Sequence, residues 1–175
     1  MRSFASTLLV MSAMAAPLAA QDSTYRPSMK SPDGKQILAV YLGAQTCGPC
    51  LLPEVKAAVK RFKGLVAEQA KKSGATFSVI GASSDWDQTV AANFLADVGP
   101  FDQVSLGSQW TNLAFEQFVW RLPGGESAMP QILILERTVR TEAKGITFSE
   151  PKVLRRIRGG TDIPAWVAQG APISQ

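Results

Sequence analysis

The chain has 175 residues, 46% of them hydrophobic, which suits one domain whose core needs no metal or disulfide staple. Its 18 Lys and Arg against 14 Asp and Glu give a formal charge of +4, and these charges are scattered with no basic motif beside them, which argues against nucleic-acid binding. Histidine is absent, which excludes Cys-His nucleophilic pairs, His-ligated zinc or copper, and the Cys-x-x-Cys-His haem attachment, whose His position is Leu51 here.

In residues 1–20 the only charge is Arg2, and Leu8-Leu9-Val10-Met11 leads into the small residues from Ala13 to Ala20. This composition reads as a secretory signal peptide over 1–20, cut after Ala20 or Ala19, with an uncleaved anchor as the lesser alternative. The apolar stretch is too short and too rich in alanine for a stable membrane span. The expected location is therefore the periplasm or the medium. Residues 21–36 hold Pro27, Pro32 and Gly34 among polar residues, and they predict an extended N-terminal segment without regular structure.

The fold proper is expected over 37–170. Ile37 to Leu42 is a continuous apolar run that fits a central strand buried on both faces. From Leu51 onward Leu52, Val55, Ala58, Val59, Phe62, Val66 and Ala70 recur at helical spacing, with Lys56, Lys60, Lys63 and Lys71 at the remaining, polar positions. That helix has an allowed interruption at Gly64 and a stop at Lys72-Ser73-Gly74.

Thr76 to Ala82 is a second strand, and Val90 to Val98 a second helix closed by Gly99-Pro100. A short helix is expected over Leu113–Leu122, where Trp110, Phe115, Phe118 and Trp120 read as core first and binding surface second. Gln131–Glu136 and Val153–Ile157 are further strands, joined as neighbours through the Arg137–Lys152 turn region, and Ile163–Ala168 is a terminal helix. The order predicts an α/β sandwich with a mixed sheet.

Only two cysteines occur, Cys47 and Cys50, separated by Gly48 and Pro49. A bridge closing so short a loop gives little chain-entropy stabilisation, so its presence in an oxidising compartment calls for a chemical reason. Cys47 falls between an apolar strand and an amphipathic helix. There the helix dipole and unpaired N–H groups lower a cysteine pKa from about 8.5 to roughly 3.5–7.5, which makes Cys47 the attacking sulfur. Cys50, one turn on, can resolve a mixed disulfide at Cys47. Gly48 lets the turn pass without a side chain, and Pro49 fixes φ where its missing N–H costs nothing. Two cysteines cannot complete a four-ligand zinc site, and no metal or cofactor is expected.

The stretch from Ile37 to Ala70 resembles the active-site strand and helix of the thioredoxin superfamily, with Cys47-Gly48-Pro49-Cys50 matching that family's tetrapeptide. Val79-Ile80-Gly81-Ala82-Ser83-Ser84-Asp85 is similar to the second-strand exit of its TlpA-like and peroxiredoxin-like branch, and Met129-Pro130 before Gln131 is similar to its cis-proline site. The resemblance implies a thioredoxin-like sandwich with an insert over about 86–127. It also implies a cis bond at Pro130, with Met129 presenting its backbone to an extended substrate segment.

Three departures accompany it. Thr46 stands where the family usually has tryptophan, and the helix proline comes early, at Pro53. Tyr41 falls at the position of a buried acid that assists the second cysteine, and a phenol of pKa near 10 is a poor base at neutral pH. Glu54 is a candidate substitute, although a solvated helix face suits it better.

The implied function is an exported reductase of protein disulfides, supplied with electrons by a membrane donor. A disulfide oxidase or isomerase is the nearest alternative, and a binding module holding a partner or Cu(I) is a further one. A peroxidase reading lacks the expected companions of a peroxidatic cysteine.

Overall fold

The computed structural model describes residues 25–27 and 33–174. The expected signal peptide and its cleavage site lie outside the described residues. No helix among the described residues is long and apolar enough to cross a membrane.

The elements in chain order are β1 (Gly34–Gly43), a 3-10 turn (Gly48–Leu51), α1 (Pro53–Lys72), β2 (Thr76–Ser83), α2 (Gln88–Val98) and β3 (Gln103–Ser105). A 3-10 turn (Gln109–Thr111) and a short helix α3 (Leu113–Phe115) follow, the latter running into a π-turn (Glu116–Trp120). Then come β4 (Gln131–Glu142), β5 (Gly145–Phe148), β6 (Lys152–Arg158) and α4 (Asp162–Ala168).

They form a mixed α/β structure around one sheet. β1 lies at its centre, parallel to β2 and antiparallel to β4, and β2 is parallel to β3. The far edge of β4 is shared, with β6 pairing over Gln131–Glu136 and β5 over Val139–Glu142. Parallel neighbours need crossovers, which α1 and α2 provide, while β4, β5 and β6 follow one another through short turns.

Alternation along β1 explains why the run Ile37–Leu42 is apolar throughout. Ile37, Ala39 and Tyr41 face α1, α2 and α4, together with Phe62, Phe94 and Trp166. Leu38, Val40 and Leu42 face the other way, onto Ala114, Phe115, Phe118 and Val119. The antiparallel register keeps the faces matched, with Val40 opposite Leu133 in one layer and Tyr41 opposite Ile132 in the other. Phe115 and Phe118 are thus core. Trp110 is half-buried and stacks edge-on to Phe115, and of these four aromatics only Trp120 is well exposed, at 47%.

Several expectations are corrected. Residues 21–36 are not all a featureless lead: β1 begins at Gly34, and Tyr25 is buried against Phe77 with its hydroxyl donated to Asp102. Residues 21–24 and 28–32 lie outside the described residues; Tyr25 docks on the domain because its ring is apolar while its hydroxyl reaches a carboxylate. Helix α1 is continuous through Gly64, since neighbouring good helix formers outweigh one glycine. Lys63 is not on the polar face; it is fully buried and donates to the carbonyl oxygen of Val98 at 2.6 Å. Leu113–Leu122 is a short α-turn and a π-turn instead of one helix. The turn region 137–152 contains β5 and the outer half of β4.

Candidate active site

The parallel strands β1 and β2 end on the same side of the sheet, and the loop leaving β1 carries both sulfurs. Cys47 and Cys50 are joined in a disulfide, with Cα atoms 5.3 Å apart, inside the range that two intervening residues permit. The loop is fixed by its own backbone: Cys47 N–H donates to Ala44 O at 3.2 Å, and Cys50 N–H donates to Cys47 O at 3.0 Å. Cys50 N–H also lies 3.2 Å from Cys47 Sγ. Gly48 and Pro49 are exposed at the tip, and Pro49 is the second residue of the 3-10 turn, where its fixed φ fits and no intra-turn N–H is lost.

Cys47 does lie between an apolar strand and an amphipathic helix, but the expectation that it sits at the helix terminus does not hold. Cys47 caps the 3-10 turn, and α1 begins only at Pro53. Proline disfavours helical geometry at the residue before it, and Leu52 is accordingly extended, with φ −59° and ψ 132°. The donor nearest the first sulfur is therefore the Cys50 N–H of the turn, and the α1 dipole starts further on.

The sulfurs differ in access. Cys47 is partly exposed, while Cys50 is 0% exposed and belongs to the core under α1. Solvent meets Cys47 and not Cys50.

Segment 83–85 braces this loop against the Met129-Pro130 loop. Ser84 N–H donates to Gly43 O at 3.2 Å, and Ser84 Oγ lies 3.4 Å from Met129 Sδ. Asp85, buried at 3% exposure, accepts from Gln45 N–H at 2.8 Å and from Thr46 N–H at 3.3 Å and Oγ1 at 3.1 Å. The Met129–Pro130 bond is cis, Pro130 is buried, and its carbonyl accepts from Gly159 N–H at 2.8 Å.

Gly159 carries φ +90°, a conformation that favours glycine, and it turns the chain so that Gly160 packs on the loop that holds the two cysteines. A Cβ on Gly160 would stand 3.3 Å from Pro49 Cβ and 3.4 Å from Leu52 Cδ1. An open pocket of about 410 Å³ lies here, between Pro49, Leu52 and Glu54 on one side and Gly160, Thr161 and Pro164 on the other.

Tyr41 is 0% exposed, stacked between Phe94 and Phe101, and its hydroxyl has no hydrogen-bond partner among the described residues. Burial pushes its phenol pKa further up, so it stays protonated and cannot act as a base. The hydroxyl occupies the space where a Cβ on Gly43 would lie, 2.5 Å away, which explains glycine at the end of β1. Glu54 is exposed in the first turn of α1.

Sequence reasoning missed the clamp by Asp85, the strut at Ser84 and the approach of Gly160. The Gly159-Gly160 pair after an apolar strand was a readable turn signal. The contacts that Ser84 and Asp85 make with Gly43, Gln45, Thr46 and Met129 had none, because those partners are 39–45 residues away. The chain matches no family model, no curated protein and no solved structure.

Proposed function

We propose that this protein is an exported thiol–disulfide oxidoreductase of thioredoxin-like fold that reduces protein disulfides. The observation that carries the reading is the pairing of a partly exposed Cys47 with a fully buried Cys50 in one disulfide beyond the central strand. A structural staple gains nothing from that asymmetry, whereas exchange requires one sulfur to meet the partner and the other to wait. The tetrapeptide and Met129-Pro130 before β4 support the thioredoxin-like assignment. The absence of histidine and the composition of residues 1–20 fit a thiol enzyme made for export.

In the reducing cycle the Cys47 thiolate attacks one sulfur of the substrate disulfide. A Cys47–substrate bond forms, the substrate S–S bond breaks, and the departing thiolate takes a proton from water. Cys50 then loses its proton to water and attacks Cys47 Sγ. The Cys47–Cys50 bond forms, the second substrate thiolate leaves, and two electrons have passed to the substrate. A dithiol donor at the membrane returns the electrons by the same exchange in reverse. Thr46 and Pro49 flank Cys47 on the exposed rim, and Met129 offers its backbone to an extended substrate segment.

The test is stoichiometric. Reduced protein mixed with a model protein disulfide should yield two substrate thiols for each Cys47–Cys50 disulfide formed. A pair that stays reduced beside an intact substrate disulfide would refute the proposal.

A further inference from the structure

The carboxylate of Asp85 sits beneath the two residues that lead into Cys47. It accepts from the backbone N–H groups of Gln45 and Thr46 and from the Thr46 hydroxyl. On its other side Ser83 Oγ donates to it at 2.7 Å, and Asp85 N–H donates back to that oxygen at 3.1 Å. The side chain is nearly excluded from water, at 3% exposure, so its charge is weakly screened. One peptide unit, about 3.8 Å between Cα atoms, separates Thr46 from Cys47.

A carboxylate held so close to Cys47 in the chain would act on it in two ways. Its negative charge disfavours a second negative charge nearby, which opposes the thiolate. It also turns the N–H groups of Gln45 and Thr46 toward itself, so they are not offered to the sulfur. A thiolate stabilised in the reduced state makes a dithiol couple oxidising, and one that is opposed keeps the couple reducing.

We propose that Asp85 is a positioning residue that fixes the Gln45–Thr46 approach to Cys47 and, through its charge, holds the Cys47–Cys50 couple on the reducing side. The inference rests on the exchange function proposed above. Ser83 moderates the effect, because its donated hydrogen bond spreads the charge of the carboxylate.

The experiment equilibrates wild type, Asp85→Asn and Ser83→Ala with glutathione and follows Cys47 thiolate formation against pH in each reduced protein. The relevant equilibrium converts one protein disulfide and two glutathione thiols into the protein dithiol and one glutathione disulfide. Asp85→Asn should be reduced about tenfold more readily, about 30 mV for a two-electron couple, with the thiolate appearing at lower pH. Ser83→Ala should move both quantities the opposite way by about twofold, since the carboxylate then carries its charge undiluted.

A clamp that is merely structural would loosen the loop without moving the thiol titration. Unchanged values in folded Asp85→Asn, or a shift toward harder reduction, would overturn the inference. If Asp85→Asn does not fold, Ser83→Ala decides, and no shift or a shift toward easier reduction overturns it. A wild-type protein that never exchanges with glutathione would instead overturn the exchange function itself.

Discussion

Lys63 Nζ donates to the carbonyl oxygen of Val98 at 2.6 Å, which ties the middle of α1 to the last turn of α2. The same nitrogen lies 4.6 Å from the centroid of the Phe101 ring, and that ring stacks on Tyr41. Burial, assisted by the nearby charge of Lys60, lowers the Lys63 pKa from 10.5 to about 7. From α2 the facing acid is Asp97, which pairs with Lys56 at 2.7 Å and Lys60 at 3.6 Å.

Because the folded pKa lies below the unfolded one, the unfolded chain binds more protons between them, and stability rises with pH across that window. Lys63→Met should therefore be more stable than wild type by about 1–3 kcal/mol near pH 6. The advantage should shrink from about pH 7 upward and reverse above about pH 10.5, where wild type keeps the bond to Val98 without the charge penalty. Urea unfolding of both proteins across pH measures this. A constant difference would mean that Lys63 does not change protonation on folding.

Tyr41→Phe should stabilise the fold by about 1 kcal/mol, because it removes a buried hydroxyl that has no partner among the described residues. The ring stacking with Phe94 and Phe101 would be kept. A loss of stability in denaturant titration would show that the hydroxyl is paired in solution.

Tyr25→Phe should cost about 1–2 kcal/mol, since the lost bond is to a carboxylate and the packing on Phe77 remains. Asp102 would keep its bond from Val79 N–H at 2.6 Å. The unfolding midpoint checks this, and an unchanged value would mean that Tyr25 does not dock on the domain.

In the reduced, folded protein at neutral pH, Cys47 should be alkylated at least about tenfold faster than Cys50, because Cys50 is shut off from reagent and its burial disfavours a thiolate there. Peptide mapping after timed alkylation gives the two rates. Equal rates, or faster loss at Cys50, would reverse the roles assigned to the sulfurs.

The parts of the fold legible in the sequence are those whose burial follows a local period. The run Ile37–Leu42 and the series Val55, Ala58, Val59, Phe62, Val66 and Ala70 are core in the structure, because a buried strand and an amphipathic helix impose those patterns. Lys63 follows the same helical stripe, four residues after Val59, and was misplaced because a charge ordinarily marks the solvent side. β3 and β5 were missed for another reason: Gln103–Ser105 is short, and Gly145–Phe148 is exposed on all its residues, so neither carries an apolar period.

At the site, the thiols and their turn were legible from four adjacent residues. The separation of that turn from α1 follows from Pro53, whose effect on Leu52 is local and was there to be read. The bracing of the loop by Ser84 and Asp85 is made by tertiary contacts, which no local pattern announces.

Exchange through Cys47 and Cys50 is tested most directly by trapping. Each single Cys→Ser variant is reduced, incubated with an oxidised model protein and scored for covalent complexes that a strong reductant dissolves. Cys50→Ser should accumulate a mixed disulfide through Cys47, because the first attack still occurs and nothing releases the product. Cys47→Ser should accumulate little, since Cys50 is buried. Equal trapping by both variants, more by Cys47→Ser, or none by either would contradict the mechanism.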